Sequence, residues 1–203
     1  MHLREGLVDA YYTGVKAIVS RTPLVGKNPN IISFTASIIG VISAFFFLVG
    51  FSATGGVVLL ISGILDTLDG TVARLGERSS KFGATLDSSL DRYVEMFVFM
   101  GITFHFRDSS MFFWTLFALM GSMMVSYIRA RAQSLGVDRL VGMMQRFERF
   151  VILSLAAILN PIGVEYWGSE IILQLGIIIL AIGTNYTAYQ RLMVVKQVEE
   201  EQS

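Results

Sequence analysis

The chain has 203 residues, no cysteine and a formal net charge of zero. The lack of cysteine excludes a disulfide framework. Apolar residues make up 53% of the chain and the mean hydropathy is +0.60, which is typical of a membrane protein and excludes an ordinary soluble core. The length suits a single domain, taken as 1–203, and we expect no nucleic-acid partner.

The N-terminal segment, residues 2–20, alternates apolar and charged side chains at helical period. Leu3 and Leu7 fall on one side, whereas Arg4 and Lys16 fall on the other. This pattern predicts an amphipathic helix that lies on the membrane surface. A helix that covers soluble protein is the alternative.

A series of apolar segments follows the turn signal Asn28-Pro29-Asn30. The stretch 31–65 contains no charged residue and is too long for one span of about 20 residues, so a glycine-rich stretch near Gly50 must divide it. We predict an all-α integral membrane fold, in which six transmembrane helices follow the interfacial helix. The predicted spans are 31–50, 55–76, 83–105, 110–132, 145–160 and 169–191, the fifth of them ended by Asn160-Pro161.

Basic residues are distributed unevenly between the two sides of this topology. Six spans place both termini on one side, and every Lys and Arg except Arg107 falls at a terminus, turn or helix end on that same side. Basic residues are enriched on the cytoplasmic side of membrane proteins. We therefore predict a multi-pass protein of the cell membrane with both termini, and the polar residues described next, on the cytoplasmic side.

Four aspartates lie on the second and third predicted spans. Asp66 and Asp69 are three residues apart and Asp87 and Asp91 are four apart, so each pair shares one helix face. Carboxylates that enter or border hydrocarbon are costly and indicate function. They would also repel one another without a positive charge among them, and hard divalent cations prefer carboxylate oxygens. The sequence therefore predicts a divalent-metal site.

The spacing D-x2-D-G-x2-A-R-x8-G-x3-D-x3-D over residues 66–91 resembles the signature of the CDP-alcohol phosphotransferase family. Members are six-helix membrane enzymes, usually homodimers, that transfer a substituted phosphate from a CDP-linked donor to an alcohol and release CMP. The resemblance implies Mg²⁺ or Mn²⁺, as two ions, with Asp66, Asp69, Asp87 and Asp91 as ligands. It also assigns Asp91 as the general base toward the acceptor hydroxyl.

The same resemblance implies contacts to the CDP donor at six positions, namely Asn30, Gly70, Ala73, Arg74, Ser80 and Gly83. The small residues would let the nucleotide approach the backbone, although close helix packing is their alternative use in membranes. Arg74 presents a planar fork of donors that suits a phosphate. Glu95 and Arg92 are assigned to an ion pair or dimer contact rather than to the substrate.

Three arginines at the cytoplasmic ends of the last three spans point to the acceptor. Basic residues there can serve topology alone, and we assign that role to Arg139. Arg129, Arg149 and Arg191 instead resemble the branch of phosphatidylinositol-phosphate and archaetidylinositol-phosphate synthases, in which basic residues at these helix ends hold the acceptor's phosphate. A Lys is usual where Arg129 stands, and Arg keeps the charge but changes the geometry.

The predicted function is therefore transfer from a CDP-linked lipid, CDP-diacylglycerol or CDP-archaeol, to soluble inositol phosphate. Alternatives within the reaction class are glycerol 3-phosphate or serine as acceptor, or di-inositol-phosphate synthesis from CDP-inositol. A divalent-cation transporter is the alternative from another class. Its acids would line a path through both halves of the membrane, whereas the four aspartates cluster at one end of two spans.

Overall fold

The computed structural model describes residues 13, 28–75, 80–139 and 141–202, apart from the side chains of residues 69, 73, 74 and 202. The described residues form six α-helices and no strand, which confirms the predicted all-α class. The predicted amphipathic helix lies outside the described residues except for Thr13. The helices are α1 Pro29–Leu48, α2 Ser52–Leu75, α3 Lys81–His105, α4 Met111–Ser134, α5 Arg146–Trp167 and α6 Ile171–Gln202.

Five of the described helices are long and apolar enough to cross a membrane, and α3 is the exception. It carries Asp87, Asp91, Arg92 and Glu95 within one helix. Large apolar side chains are exposed along the other helices, as in Phe34, and along part of α3, as in Phe104, which suits contact with lipid. The charged helix α3 carries two of the predicted metal ligands, and α2 carries the other two.

Helix α5 differs from its prediction. The pair Asn160-Pro161 is predicted to end the fifth span, but α5 continues to Trp167 with the proline inside it. Pro161 removes a single N–H from the helix, whereas ending the helix there would expose several backbone groups to an apolar environment. The helix ends instead at Gly168, whose φ of 63° is left-handed.

The remaining helix bounds lie close to their predictions, except at the end of α6. The prediction ends this span at Arg191, but the helix continues to Gln202. Apolar content marks where a helix leaves hydrocarbon and does not mark where the helix itself ends. The charged C-terminal residues have good helix propensity and extend α6 beyond its apolar part.

The chain divides into two compact units, residues 1–41 with 61–94, and residues 42–60 with 95–203. The first unit contains the segment that resembles the phosphotransferase signature. The second contains α4, α5 and α6, in which α6 packs against both α4 and α5.

Close contacts hold three helices together in the first unit. The hydroxyl of Ser62 on α2 donates a hydrogen bond of 2.8 Å to the carbonyl oxygen of Ala36 on α1. Gly40 on α1 lies so near its neighbours that an added Cβ would be 2.5 Å from Val94 Cγ1 on α3 and 2.9 Å from Ser62 Oγ. Small residues permit this close approach, which fixes α2 and α3 against the same face of α1.

Asn160 provides a buried polar link in the second unit. Its side chain is 1% exposed. Its amide nitrogen donates to Ser52 Oγ at 3.0 Å, and its amide oxygen accepts from the N–H of Leu173 at 3.2 Å. Leu173 lies in the first turn of α6, where backbone N–H groups lack partners within the helix. Asn160 therefore joins the start of α2, α5 and the start of α6.

We expect Asn160→Ala to destabilise the protein by about 1–3 kcal/mol, because it leaves the buried N–H of Leu173 without its acceptor. Thermal unfolding in detergent measures the effect as a lower Tm. Ser169→Ala, at an exposed position in the turn before α6, is the control. An unchanged Tm for Asn160→Ala would contradict the assigned role.

Candidate active site

Three of the predicted metal ligands converge in the first unit. Asp66 lies on α2, whereas Asp87 and Asp91 lie one turn apart on α3. One carboxylate oxygen from each of the three lies within 4.8 Å of the others, and all three residues are half-buried. The side chain of the fourth predicted ligand, Asp69, lies outside the description. The pairing of α2 with α3 thus brings together carboxylates that are 21 and 25 residues apart in the sequence.

This spacing fits a divalent cation. Two carboxylates about 4 Å apart repel by about 4 kcal/mol at the effective dielectric constant typical of protein surfaces. Hard divalent cations bind oxygen at about 2.0–2.6 Å, so two ligands of one ion can lie up to about 4–5 Å apart. The three side chains have both the ligand chemistry and the separation to share a divalent ion.

Arg92 lies beside this cluster. Its Nη2 is 3.9 Å from Asp91 Oδ2, and both side chains are largely buried. This long ion pair agrees with the role predicted for Arg92. At that distance the guanidinium of Arg92 offsets part of the charge of the carboxylate of Asp91.

Three of the predicted donor-binding positions adjoin in the first unit. A Cβ added to Gly83 would lie 3.0 Å from Ser80 Oγ and 3.2 Å from Asn30 Oδ1. Ser80 Oγ also accepts the N–H of Gly83 at 2.9 Å and so caps the N-terminus of α3. Gly70 is half-buried on α2. The other two positions, Ala73 and Arg74, have side chains outside the description.

The three predicted acceptor residues form one cationic cluster in the second unit, here called the arginine cluster. Arg149 and Arg191 are 3% and 6% exposed, respectively, whereas Arg129 is exposed. Arg129 and Arg191 line the same surface depression. The charges of Arg129 and Arg149 both act on the guanidinium of Arg191. Residues from α4, α5 and α6 therefore concentrate positive charge at one place.

The two buried guanidiniums have defined acceptors. Arg191 donates from Nε to the carbonyl oxygen of Val141 at 3.1 Å and from Nη1 to that of Val125. Arg149 donates from Nε to Glu95 Oε1 at 3.0 Å and from Nη1 to the carbonyl oxygen of Met144 at 3.3 Å. Buried charges are tolerated when they are hydrogen-bonded in this way. The predicted ion-pair role of Glu95 agrees with this contact.

The loop between α4 and α5 is a part of this cluster that the sequence does not predict. Gly142 has a φ of 107°, and a Cβ added there would collide with Thr187 Cγ2 on α6. The N–H of Met144 donates to Thr187 Oγ1 at 3.1 Å. A carbonyl group occurs at every residue, so no sequence pattern distinguishes the loop carbonyls that hold Arg149 and Arg191.

Arg139, which was assigned to topology, lies at the surface. Its guanidinium forms a two-pronged ion pair with Glu201, with Nη2 2.9 Å from Oε2. Both side chains are more than half exposed. Exposed pairs of this kind contribute little to stability. Arg139 nevertheless lines the same surface depression as Arg129 and Arg191.

Comparison with known proteins identifies the class of this site. Residues 27–194 match the family model described as CDP-alcohol phosphatidyltransferase. The chain is 40% identical over 144 residues to archaetidylinositol phosphate synthase of Methanothermobacter thermautotrophicus. The matched segment covers 71% of this chain and 70% of the relative.

Two crystal structures of Mycobacterium tuberculosis phosphatidylinositol phosphate synthase match with a TM-score of 0.78 and 30% identity. The match to the structure with CDP-DAG bound covers 89% of this chain and 92% of the mycobacterial chain. The match to the structure in complex with manganese and citrate covers 89% of this chain and 88% of the mycobacterial chain. The predicted family and the predicted enzyme class are both confirmed. The chain belongs to the CDP-alcohol phosphatidyltransferase family and is a multi-pass membrane transferase of phospholipid synthesis.

Proposed function

We propose that this enzyme transfers a phosphatidyl-type group from a CDP-linked lipid, CDP-diacylglycerol or CDP-archaeol, to a hydroxyl group of soluble inositol phosphate, with release of CMP. The arginine cluster is the observation that carries the choice of a phosphorylated acceptor. Arg149 and Arg191 are buried cations beside a third cation, Arg129, and such a group suits a dianionic phosphate. The names of the relatives, archaetidylinositol phosphate synthase and phosphatidylinositol phosphate synthase, support the same choice.

Asp66, Asp69, Asp87 and Asp91 are proposed to hold two Mg²⁺ or Mn²⁺ ions. The separation within 4.8 Å of the three described carboxylates supports this, and so does the manganese complex of the mycobacterial relative. When bound, such ions would neutralise the diphosphate of the donor and the charge that develops on the leaving group. Asn30, Gly70, Ala73, Arg74, Ser80 and Gly83 are proposed to contact the CDP portion of the donor.

Asp91 is proposed as the general base. The acceptor oxygen forms a bond to the lipid-side phosphorus of the CDP-lipid, and the bond from that phosphorus to the oxygen of CMP breaks. The hydroxyl proton passes to the carboxylate of Asp91, and CMP departs with the bonding electron pair. Arg92, 3.9 Å from the carboxylate of Asp91, would keep that side chain oriented.

The arginine cluster is proposed to bind the acceptor's phosphate. A phosphate dianion would be attracted to the three guanidiniums and held by charge-assisted hydrogen bonds. Serine carries a single carboxylate beside its own ammonium group and would be attracted less than a phosphate dianion, whereas glycerol 3-phosphate carries a phosphate. The choice between the two phosphorylated acceptors therefore depends on contacts to the polyol.

The sites are proposed to face the cytoplasm, where soluble phosphates and CTP-derived donors occur. The distribution of Lys and Arg supports this orientation. A homodimer is proposed from the family resemblance.

Removal of one metal ligand should abolish transfer. For Asp66→Asn we expect loss of activity and weaker binding of Mn²⁺, because an amide oxygen is a neutral and poorer ligand for a hard cation. For Asp91→Asn we expect kcat to fall by about 100-fold or more, because the base is lost. CMP release and calorimetric titration with Mn²⁺ measure the two effects. Asp108→Asn, at a side chain 90% exposed, is the matched control, and full activity in excess chelator would refute the metal site.

Loss of one arginine of the cluster should weaken the binding of the acceptor and leave the binding of the donor nearly unchanged. For Arg149→Ala we expect the KM for inositol phosphate to rise about tenfold or more, because a charge-assisted hydrogen bond is worth about 1.5–3 kcal/mol. The KM for the CDP-lipid should change little. Steady-state kinetics with each substrate varied in turn provide the test, with the exposed Arg107→Ala as control. A wild-type KM for inositol phosphate in Arg149→Ala would exclude the acceptor assignment.

The proposed orientation can be tested with introduced cysteines, because the chain has none. Ser109, Ser134 and Ser169 are all exposed. A membrane-impermeant maleimide added to intact cells should label Ser109→Cys and Ser169→Cys, since both lie in turns on the predicted outer side. Ser134→Cys, at the end of α4, should react only after the cells are opened. Labelling of Ser134→Cys in intact cells would reverse the orientation.

A further inference from the structure

Glu95 and Arg149 form an ion pair that has little access to water. Glu95 Oε1 accepts from Arg149 Nε at 3.0 Å, and the two side chains are 15% and 4% exposed, respectively. A guanidinium with so little access to water is costly without a compensating negative charge. Glu95 provides that charge from α3, and Arg149 lies in the first turn of α5.

The contact also sets the direction of the guanidinium plane. Glu95 engages Nε, and the carbonyl oxygen of Met144 engages Nη1 at 3.3 Å. A guanidinium is rigid and planar, so acceptors on two of its nitrogens fix the directions of all its N–H groups. The position of Arg149 within the arginine cluster is therefore determined by a carboxylate and a loop carbonyl together.

The other buried member of the cluster is held differently. Arg191 donates to the carbonyl oxygens of Val141 and Val125, which are neutral acceptors, and it experiences the charges of Arg129 and Arg149. Glu95 pairs with Arg149, and Asp138 lines the same surface depression as Arg129 and Arg191. These two carboxylates and the three guanidiniums of the cluster sum to a positive balance. That balance suits an anion, whereas full neutralisation would remove the attraction.

We propose that Glu95 is a positioning residue that determines the affinity of the enzyme for the phosphate of its acceptor by orienting Arg149. This inference rests on the proposed binding of the acceptor's phosphate by the arginine cluster. Glu95 does not touch the substrate in this account. It acts through Arg149, so its removal should weaken the binding of any phosphate at the cluster and should leave the binding of the CDP-lipid unchanged.

The test compares Glu95→Gln and Glu95→Ala in the full-length enzyme. Gln keeps an oxygen that can accept from Arg149 Nε but removes the charge, whereas Ala removes both. We expect Glu95→Ala to raise the KM for inositol phosphate about tenfold and Glu95→Gln to raise it less. The inhibition constant of inorganic phosphate, measured as a competitor of the acceptor, should rise in parallel. The kcat and the KM for the CDP-lipid should stay near their wild-type values.

Two further variants separate a positioning role from a structural one. In an Arg149→Ala background, Glu95→Ala should add nothing to the KM for inositol phosphate, because the residue through which it acts is gone. Asp108→Asn, which removes the counter-charge of the exposed Arg107, is the matched control and should leave both constants unchanged. Equal loss of affinity for both substrates in Glu95→Ala would mean a general structural defect and would overturn the proposal.

The outcomes also distinguish this inference from the proposed function. If the wild-type enzyme does not transfer to inositol phosphate, or if Arg149→Ala keeps its KM, the acceptor assignment itself is wrong. If Arg149→Ala raises that KM but Glu95→Ala and Glu95→Gln do not, the arginine binds phosphate without help from Glu95. In that case the positioning role alone is refuted.

Discussion

The approach of three carboxylates from two helices is the main electrostatic feature of the first unit. One carboxylate oxygen from each of Asp66, Asp87 and Asp91 lies within 4.8 Å of the others, on α2 and on the charged helix α3. Carboxylates this close repel one another unless positive charge lies among them, and the contacts of Ser62 and Gly40 hold α2 and α3 against α1. A divalent cation would turn the repulsion into attraction, so ligand binding and local stability are expected to be coupled.

The second unit concentrates charge of the opposite sign. Arg149 and Arg191 are buried, and their guanidiniums are held by carbonyl oxygens and by the carboxylate of Glu95. The proposed function assigns the divalent cations and the diphosphate of the donor to the aspartates of the first unit, and the phosphate of the acceptor to the arginine cluster of the second. Both assignments give a functional reason for ionisable groups in a mostly apolar chain.

Much of the fold follows from local features of the sequence. Apolar length and turn signals predicted the all-α class and most helix bounds, because both depend on residues close together in the chain. The helical spacing of the aspartates likewise predicted that each pair shares a face. Pro161 was misjudged, since a membrane helix can accommodate one missing N–H more easily than several unpaired groups.

The details of the arginine cluster were not predictable in the same way. Glu95 and Arg149 are separated by 54 residues, and their contact depends on how α3 and α5 pack. The carbonyls of Val141 and Met144 carry no signal in the side-chain sequence. Such contacts follow from tertiary structure. The choice of the three arginines themselves came from the family resemblance.

The most direct measurement is product analysis with purified enzyme, a CDP-lipid and Mn²⁺ across a panel of acceptors. Inositol phosphate, glycerol 3-phosphate, serine and unphosphorylated inositol would be supplied in turn, with CMP release and the lipid product both quantified. The proposed function predicts that CMP and an inositol-phosphate lipid form in equal amounts with inositol phosphate, and that the other acceptors give little of either. Faster formation of product from glycerol 3-phosphate or serine would contradict it.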